Sequence, residues 1–328
     1  MLTLRRAVCA ASSTRLLTSI SSAPCALKER LLKVYYTPDY VAASYGFDTT
    51  RKASRVAAML HDRPLPGVRV VQPEPATRSE LRLAHTSAYV DCVLNGGGYP
   101  GHPRRHKTSG FPWSRGLVKA VRASTGGVID ALSAALREGV AGSLSSGLHH
   151  AHADSGGGFC TFNGLAVAAL AALQQGAVRR LLILDLDAHY GDGTMDILGD
   201  DPRVDIIDFC TDRDEGFELL RGRHPVVGFD DGASYLPAVR SLLGRYDASK
   251  VDLVLYNAGM DPHEDCDIGG APGVDSAMLR QREELVFQWC RDHQVPVAFV
   301  LAGGYAGRDL SDDELAALHY STVAAAVG

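Results

Sequence analysis

The chain is expected to fold as one α/β domain around a central, mostly parallel β-sheet with helices on both faces. Three observations carry this expectation. From residue 140 onward, short apolar runs alternate with stretches of helical spacing, the order that sets parallel strands beside crossover helices. The apolar runs are continuous, which suits strands covered on both faces. Four of them end in Gly together with His, Asp or Tyr. These are 140–150 with His149 and His150, 181–193 with Asp185, Asp187, His189 and Asp192, 251–261 with Asp261, and 297–305 with Tyr305. Open α/β sheets bind ligands at the carboxyl ends of their strands. That edge is the expected site, and its residues have the layout of a metal-dependent active site.

The elements follow in order. Residues 33–36 begin the first strand, and 51–62 read as a short helix stopped by Pro64 and Pro66. Residues 68–71 form a short strand. The spacing of Leu81, Leu83, Tyr89, Val90, Val93 and Leu94 predicts helix over 77–95. Residues 95–114 are rich in Gly and Pro and strongly basic, and read as a functional loop. A long helix is expected over 115–138, weakened by Gly126 and Gly127. Beyond it come strand 140–145, helix 163–175, strand 181–186, short helix 194–199, strand 204–209 and helix 233–247. Strand 251–256, helix 275–292, strand 297–301 and helix 311–326 complete the alternation.

Of 328 residues, 46% are hydrophobic and 22% charged, an ordinary globular composition. A formal net charge of −5 gives no sign of direct nucleic-acid binding. No apolar run reaches the ~18 residues of a membrane span. The seven cysteines include no C-x-x-C pair, which argues against a disulfide framework or a cysteine-type zinc site. Nothing in the sequence points to an oligomer. Residues 1–28 contain no Asp or Glu but carry Arg5, Arg6, Arg15 and Lys28 among many hydroxyl residues. This is the signature of an organelle transit peptide. The expected address is mitochondrial, with plastid as an alternative, or cytoplasm if the extension carries no address. The catalytic domain is then 29–328.

On a strand, residues i and i+2 share a face, so a strand continuing to 189 would put Asp187 and His189 on one side. Carboxylate oxygen and imidazole nitrogen together suit Zn²⁺ or Fe²⁺ and leave a position open for catalysis. A third ligand must come from elsewhere, and Asp261 follows the next long apolar run. Beside a metal, His149 or His150 suits a general base, which needs an orienting carboxylate. Asp185 and Asp192 are natural partners for the two imidazoles. The O–H of Tyr305 suits stabilisation of an oxyanion. Gly156–Gly158 before Phe159 suggests a narrow channel with an aromatic wall, or simply a flexible connector beside a core Phe.

These segments resemble the histone deacetylase family. The resemblance rests on G-L-H-H-A-H-A-D-S-G-G-G-F-C at 147–160, D-L-D-A-H-Y-G-D-G at 185–193, N-A-G-M-D at 257–261 and G-G-Y at 303–305, in the family's order. G-F-P-W-S at 110–114 and R-Q-R-E-E-L-V-F at 280–287 lean toward the class IV branch and its bacterial relatives. The resemblance implies the single-domain arginase/deacetylase fold and a zinc-dependent amidohydrolase acting on acyl-lysine in proteins or peptides. It implies Asp187, His189 and Asp261 as metal ligands, His150 as general base and acid, and His149 as its electrostatic partner. Asp185 and Asp192 would orient the imidazoles, and Tyr305 would bond the substrate carbonyl. Gly158, Phe159, Gly303 and, by a loose alignment, Phe217 would bind substrate. The family's structural K⁺ would sit near Asp185, Asp187 and the carbonyl of His189, with Asp208 and Phe209 as further contributors.

The chain departs from the family in one respect. Where nuclear members carry an acidic rim residue, 101–108 here is basic, G-H-P-R-R-H-K-T, which hints at an acidic or unusual substrate. A small-molecule amidohydrolase acting on acetylated polyamines is the competing enzyme reading. A metal-binding scaffold without catalysis is the competing class.

Overall fold

A computed structural model describes residues 31–43, 51–96, 111–211 and 224–328. Residues 1–28, where a transit peptide is expected, residues 97–110 of the basic loop, and Phe217 lie outside the described residues. In chain order the strands are β1 (Leu32–Tyr35), β2 (Val68–Val71), β3 (Val140–Ser143), β4 (Leu181–Asp185), β5 (Val204–Cys210), β6 (Val226–Gly228), β7 (Val254–Ala258) and β8 (Val297–Leu301). The helices are α1 (Lys52–Asp62), α2 (Arg78–Ala84), α3 (Ser87–Asn95), α4 (Arg115–Glu138), α5 (Gly164–Gln174), α6 (Asp192–Leu198), α7 (Gly232–Arg245), α8 (Ser276–Asp292) and α9 (Asp312–Val327).

The strands form one sheet in the order β2-β1-β3-β8-β7-β4-β5-β6, every pair parallel. Consecutive side chains on each central strand enter opposite cores, as the period of two requires. Leu182, Leu184, Tyr256, Phe299 and Leu301 pack with α1, α7, α8 and α9 on one face. Leu181, Ile183, Leu255, Ala298 and Val300 pack with α4 and α5 on the other. This double burial is why the strands read as unbroken apolar runs. The four segments with reactive ends belong to β3, β8, β7 and β4, which are consecutive neighbours in the sheet. Parallel pairing therefore delivers their carboxyl ends to one crevice.

Several boundaries differ from the sequence expectation. The helix expected over 77–95 is two helices. His85 leaves the helical conformation (ψ 148°), and the Thr86 side chain caps α3 by accepting from the Tyr89 amide. Gly126 and Gly127 do not break α4. They let it lie close to its neighbours, since a β-carbon at Gly126 would stand 1.9 Å from the Glu74 carbonyl and one at Gly127 1.9 Å from Tyr40 Oη. β7 starts three residues later than expected, because Asp252 turns its carboxylate onto the Arg179 and Arg180 amides. β6 was not anticipated; three residues are too few for a periodic signal. β4 ends at Asp185, so Asp187 and His189 stand on a loop and not on a continuing strand.

Candidate active site

The loop after β4 is built by its own amides. Asp187 donates its backbone N–H to Asp185 Oδ1 (3.2 Å), and His189 donates to Asp187 Oδ1 (3.0 Å). The Ala188 amide donates to Asp261 Oδ1 (3.0 Å), joining this loop to the end of β7. The Gly303 amide, from the end of β8, donates to Asp187 Oδ2 (2.6 Å). The result brings His189 Nδ1 within 3.0 Å of Asp187 Oδ1 and 3.1 Å of Asp261 Oδ2.

Asp187, His189 and Asp261 each offer one ligand atom, and these lie within 4.8 Å of one another. Both carboxylates are buried, at 3% and 0% exposure. Burial raises Asp187, but His149 and His189 outweigh it and hold its carboxyl well below the usual range. Burial and the like charge of Asp187 push Asp261 up. Burial alone would lower His189; hydrogen bonds donated to the two carboxylates override it and raise the ring to about 11. A buried carboxylate pair needs positive charge beside it. The donor set fits a first-row divalent cation. So does the space, for only glycine fits at 303: a β-carbon there would stand 1.9 Å from Asp261 Oδ2.

His149 and His150 occupy a turn after β3, preceded by Leu148 in the left-handed region (φ 58°). Asn163, the N-cap of α5, donates its side-chain amide to the carbonyls of His149 and Ala151 (3.2 Å each). The rings lie 4.1 Å apart, centroid to centroid. Each has its own carboxylate: His149 Nδ1 is 2.9 Å from Asp185 Oδ2, and His150 Nδ1 is 2.7 Å from Asp192 Oδ1. Their environments differ in sign. Burial lowers His149, but Asp185 and Asp187 outweigh it and raise the ring to about 10. Burial and the adjacent His149 push His150 down despite Asp192. A pair whose proton affinities are driven apart in this way separates a permanent charge from a usable base.

Tyr305 stands 6.0 Å from His189, ring to ring and perpendicular, and 6.4 Å from Phe159. Burial and the charges of Asp187 and Asp261 raise its phenol, which keeps it a proton donor. Phe159 adopts φ 64° and packs 5.7 Å from Phe111. Gly158 lies against His150, since a β-carbon there would stand 2.4 Å from its Cδ2. Gly303 sits beneath the Asp187 and Asp261 carboxylates.

Other residues complete the site without a strong sequence signal. Asp208 pairs in register with Asp185 and accepts from the Gly191 amide (2.9 Å), while its buried Oδ1 has no hydrogen-bond partner among the described residues. Burial and Asp185 hold its carboxyl well above the usual range. The Phe209 ring packs on Tyr235, with 6.4 Å between centroids. Arg282 of α8, with no exposed side-chain surface, donates to the Leu186 carbonyl (3.3 Å) and Tyr235 Oη (2.9 Å), and its Nη2 lies 3.6 Å from Met260 Sδ. Leu186 and Met260 each precede a candidate ligand, so one guanidinium braces both loops. Arg282 and Glu283 are the two charged residues on the buried face of α8.

Comparison with known proteins decides the family, since a histone deacetylase domain signature matches residues 47–320. The chain belongs to the histone deacetylase family. It is 34% identical over 281 residues to an uncharacterized protein of Picosynechococcus sp. PCC 7002, covering 83% of this chain and 92% of the relative. It is 27% identical over 268 residues to histone deacetylase 2 of Arabidopsis thaliana (79% and 69% covered). It is 31% identical over 177 residues to acetylpolyamine amidohydrolase 2 of Pseudomonas aeruginosa (49% and 50%). The fold is that of an acetylpolyamine aminohydrolase from Burkholderia pseudomallei, with TM-score 0.74, 19% identity, and 90% and 98% covered. No helix among the described residues is long and apolar enough to cross a membrane.

Proposed function

We propose that this deacetylase-family member hydrolyses the acyl amide of N-acyl-lysine in proteins or peptides, with Zn²⁺ as its metal. The observation that carries the reading is the joining of two His–Asp pairs to the Asp187, His189 and Asp261 cluster. Asp187, His189 and Asp261 would hold a divalent cation, which would supply Lewis-acid polarisation of the amide carbonyl and activation of water. His150, held neutral and oriented through Nδ1 by Asp192, accepts the proton of the attacking water at Nε2. It then returns that proton to the leaving lysine nitrogen. His149, charged through Asp185, stabilises negative charge as it develops. Tyr305 donates its O–H to the oxyanion. Phe159 forms the aromatic wall beside the acyl-lysine stem.

The kinship to an acetylpolyamine amidohydrolase favours a second reading, in which the acetylated amine is a small polyamine. Purified full-length chain assayed with an acetyl-lysine peptide, a long-chain acyl-lysine peptide and an acetylated polyamine separates them. Cleavage of the acetyl peptide supports the first reading. Cleavage of the polyamine alone moves the function to small-molecule metabolism.

A further inference from the structure

His152 is the remaining imidazole of the H-H-A-H run, and the mechanism above gives it no role. Its Nε2 lies 3.2 Å from Asp192 Oδ2, while His150 Nδ1 holds the other oxygen of the same carboxylate at 2.7 Å. Its Nδ1 lies 3.3 Å from Asp196 Oδ2, one turn further along α6. The result is a continuous chain His150–Asp192–His152–Asp196 running from the buried base toward solvent, with side-chain exposures of 20%, 47%, 34% and 49%.

The chain is held in place from both sides. The His152 amide donates to the Ser155 carbonyl (2.9 Å), and the Ala153 amide donates to Asp196 Oδ2 (3.3 Å). His85, at the α2–α3 junction, donates from Nδ1 to the His152 carbonyl (2.9 Å) and accepts from the Asn163 amide at Nε2 (3.0 Å). The titratable groups that meet the His152 ring are Asp192 and Asp196 of α6, with His150 across Asp192; His85 meets its backbone.

We propose that His152 is a positioning residue for the reaction, holding Asp192 from the solvent side and setting how strongly that carboxylate polarises His150. Both ring nitrogens of His152 face carboxylate oxygens, which accept and never donate. Only the doubly protonated ring satisfies both contacts. In that form His152 draws on the charge of Asp192 and places a cation one carboxylate away from His150. Both effects weaken His150 as a proton acceptor.

This inference rests on His150 as the base, and the test keeps the two apart. His152→Ala, His152→Lys and His150→Ala are made in the full chain, loaded with Zn²⁺, and profiled against pH with the acetyl-lysine peptide. The His150 Nδ1–H proton is followed in parallel by NMR. In His152→Ala the acid limb of kcat/KM moves up by about half a pH unit, the effect of removing one nearby cation. Metal content and KM stay within twofold. His152→Lys keeps a cation and restores the limb. A loss of kcat with no movement of the limb means a purely structural role and overturns the proposal. If His150→Ala stays active, the base assignment fails on its own. The NMR proton then decides: a shift in His152→Ala supports shared use of Asp192, and an unchanged resonance refutes it.

Discussion

Gly303 and Asp187 meet through a single hydrogen bond of 2.6 Å from the amide of one to Oδ2 of the other. A β-carbon at 303 would stand 2.5 Å from that same oxygen. The carboxylate is thus oriented by a backbone group that tolerates no side chain above it. Gly303→Ala should weaken divalent-metal affinity by about 10- to 100-fold, the usual effect of disturbing a ligand's support. Metal titration of the purified variant checks this, with far-ultraviolet circular dichroism confirming the fold.

Arg282 and Glu283 form a buried pair at 2.5 Å beneath the ligand loops, and Tyr256 donates to the same Glu283 oxygen (2.7 Å). Removing one member strands the other. Arg282→Met should cost about 3–5 kcal/mol in urea unfolding, and the Arg282→Met/Glu283→Gln double variant should recover part of it. Equal loss in single and double variants would show that the pair is not the cause.

Burial pushes His85 down to about 4 against its carbonyl contacts, so the fold holds it neutral. The unfolded chain protonates near 6.5 and the folded one only near 4, so the native state is penalised as pH falls between those values. By pH 5 this linkage amounts to about 2 kcal/mol. Denaturant midpoints at pH 7 and pH 5 should therefore diverge less in His85→Gln than in the parent chain.

Tyr305→Phe should lower kcat by about 10²–10³ if its O–H stabilises the oxyanion. Bound metal should stay unchanged, because the phenol is not among the ligand atoms. Unaltered turnover would remove Tyr305 from the chemistry.

The strand–helix order and the four reactive ends were legible because chemistry-bearing residues cluster just after apolar runs, where parallel strands deliver them. Asp185 and Asp192 were legible as partners of the imidazoles for the same reason, since both fall on the edge that carries His149 and His150. The i, i+2 argument for Asp187 and His189 failed, because the strand stops at Asp185. What aligns them is a loop whose amides donate to the carboxylates, and a sequence pattern does not distinguish that loop from an extended strand. Arg282 was hidden for a different reason: a charged residue on a helix reads as solvated until the opposite wall is known. His152 passed as an ordinary member of its motif because its two carboxylate partners lie 40 and 44 residues away. The helix break at His85 was masked by apolar spacing that stays in phase across it.

In the proposed function, one metal site and His150 act together in hydrolysis. The most direct test titrates the chelator-treated full chain with Zn²⁺ while bound metal and acetyl-lysine peptide cleavage are followed in the same sample. Activity should rise in step with one equivalent at the Asp187, His189 and Asp261 cluster, and His150→Ala filled to the same level should be nearly inactive. Cleavage that persists without the metal, or a filled His150→Ala variant as active as the parent, would contradict the account.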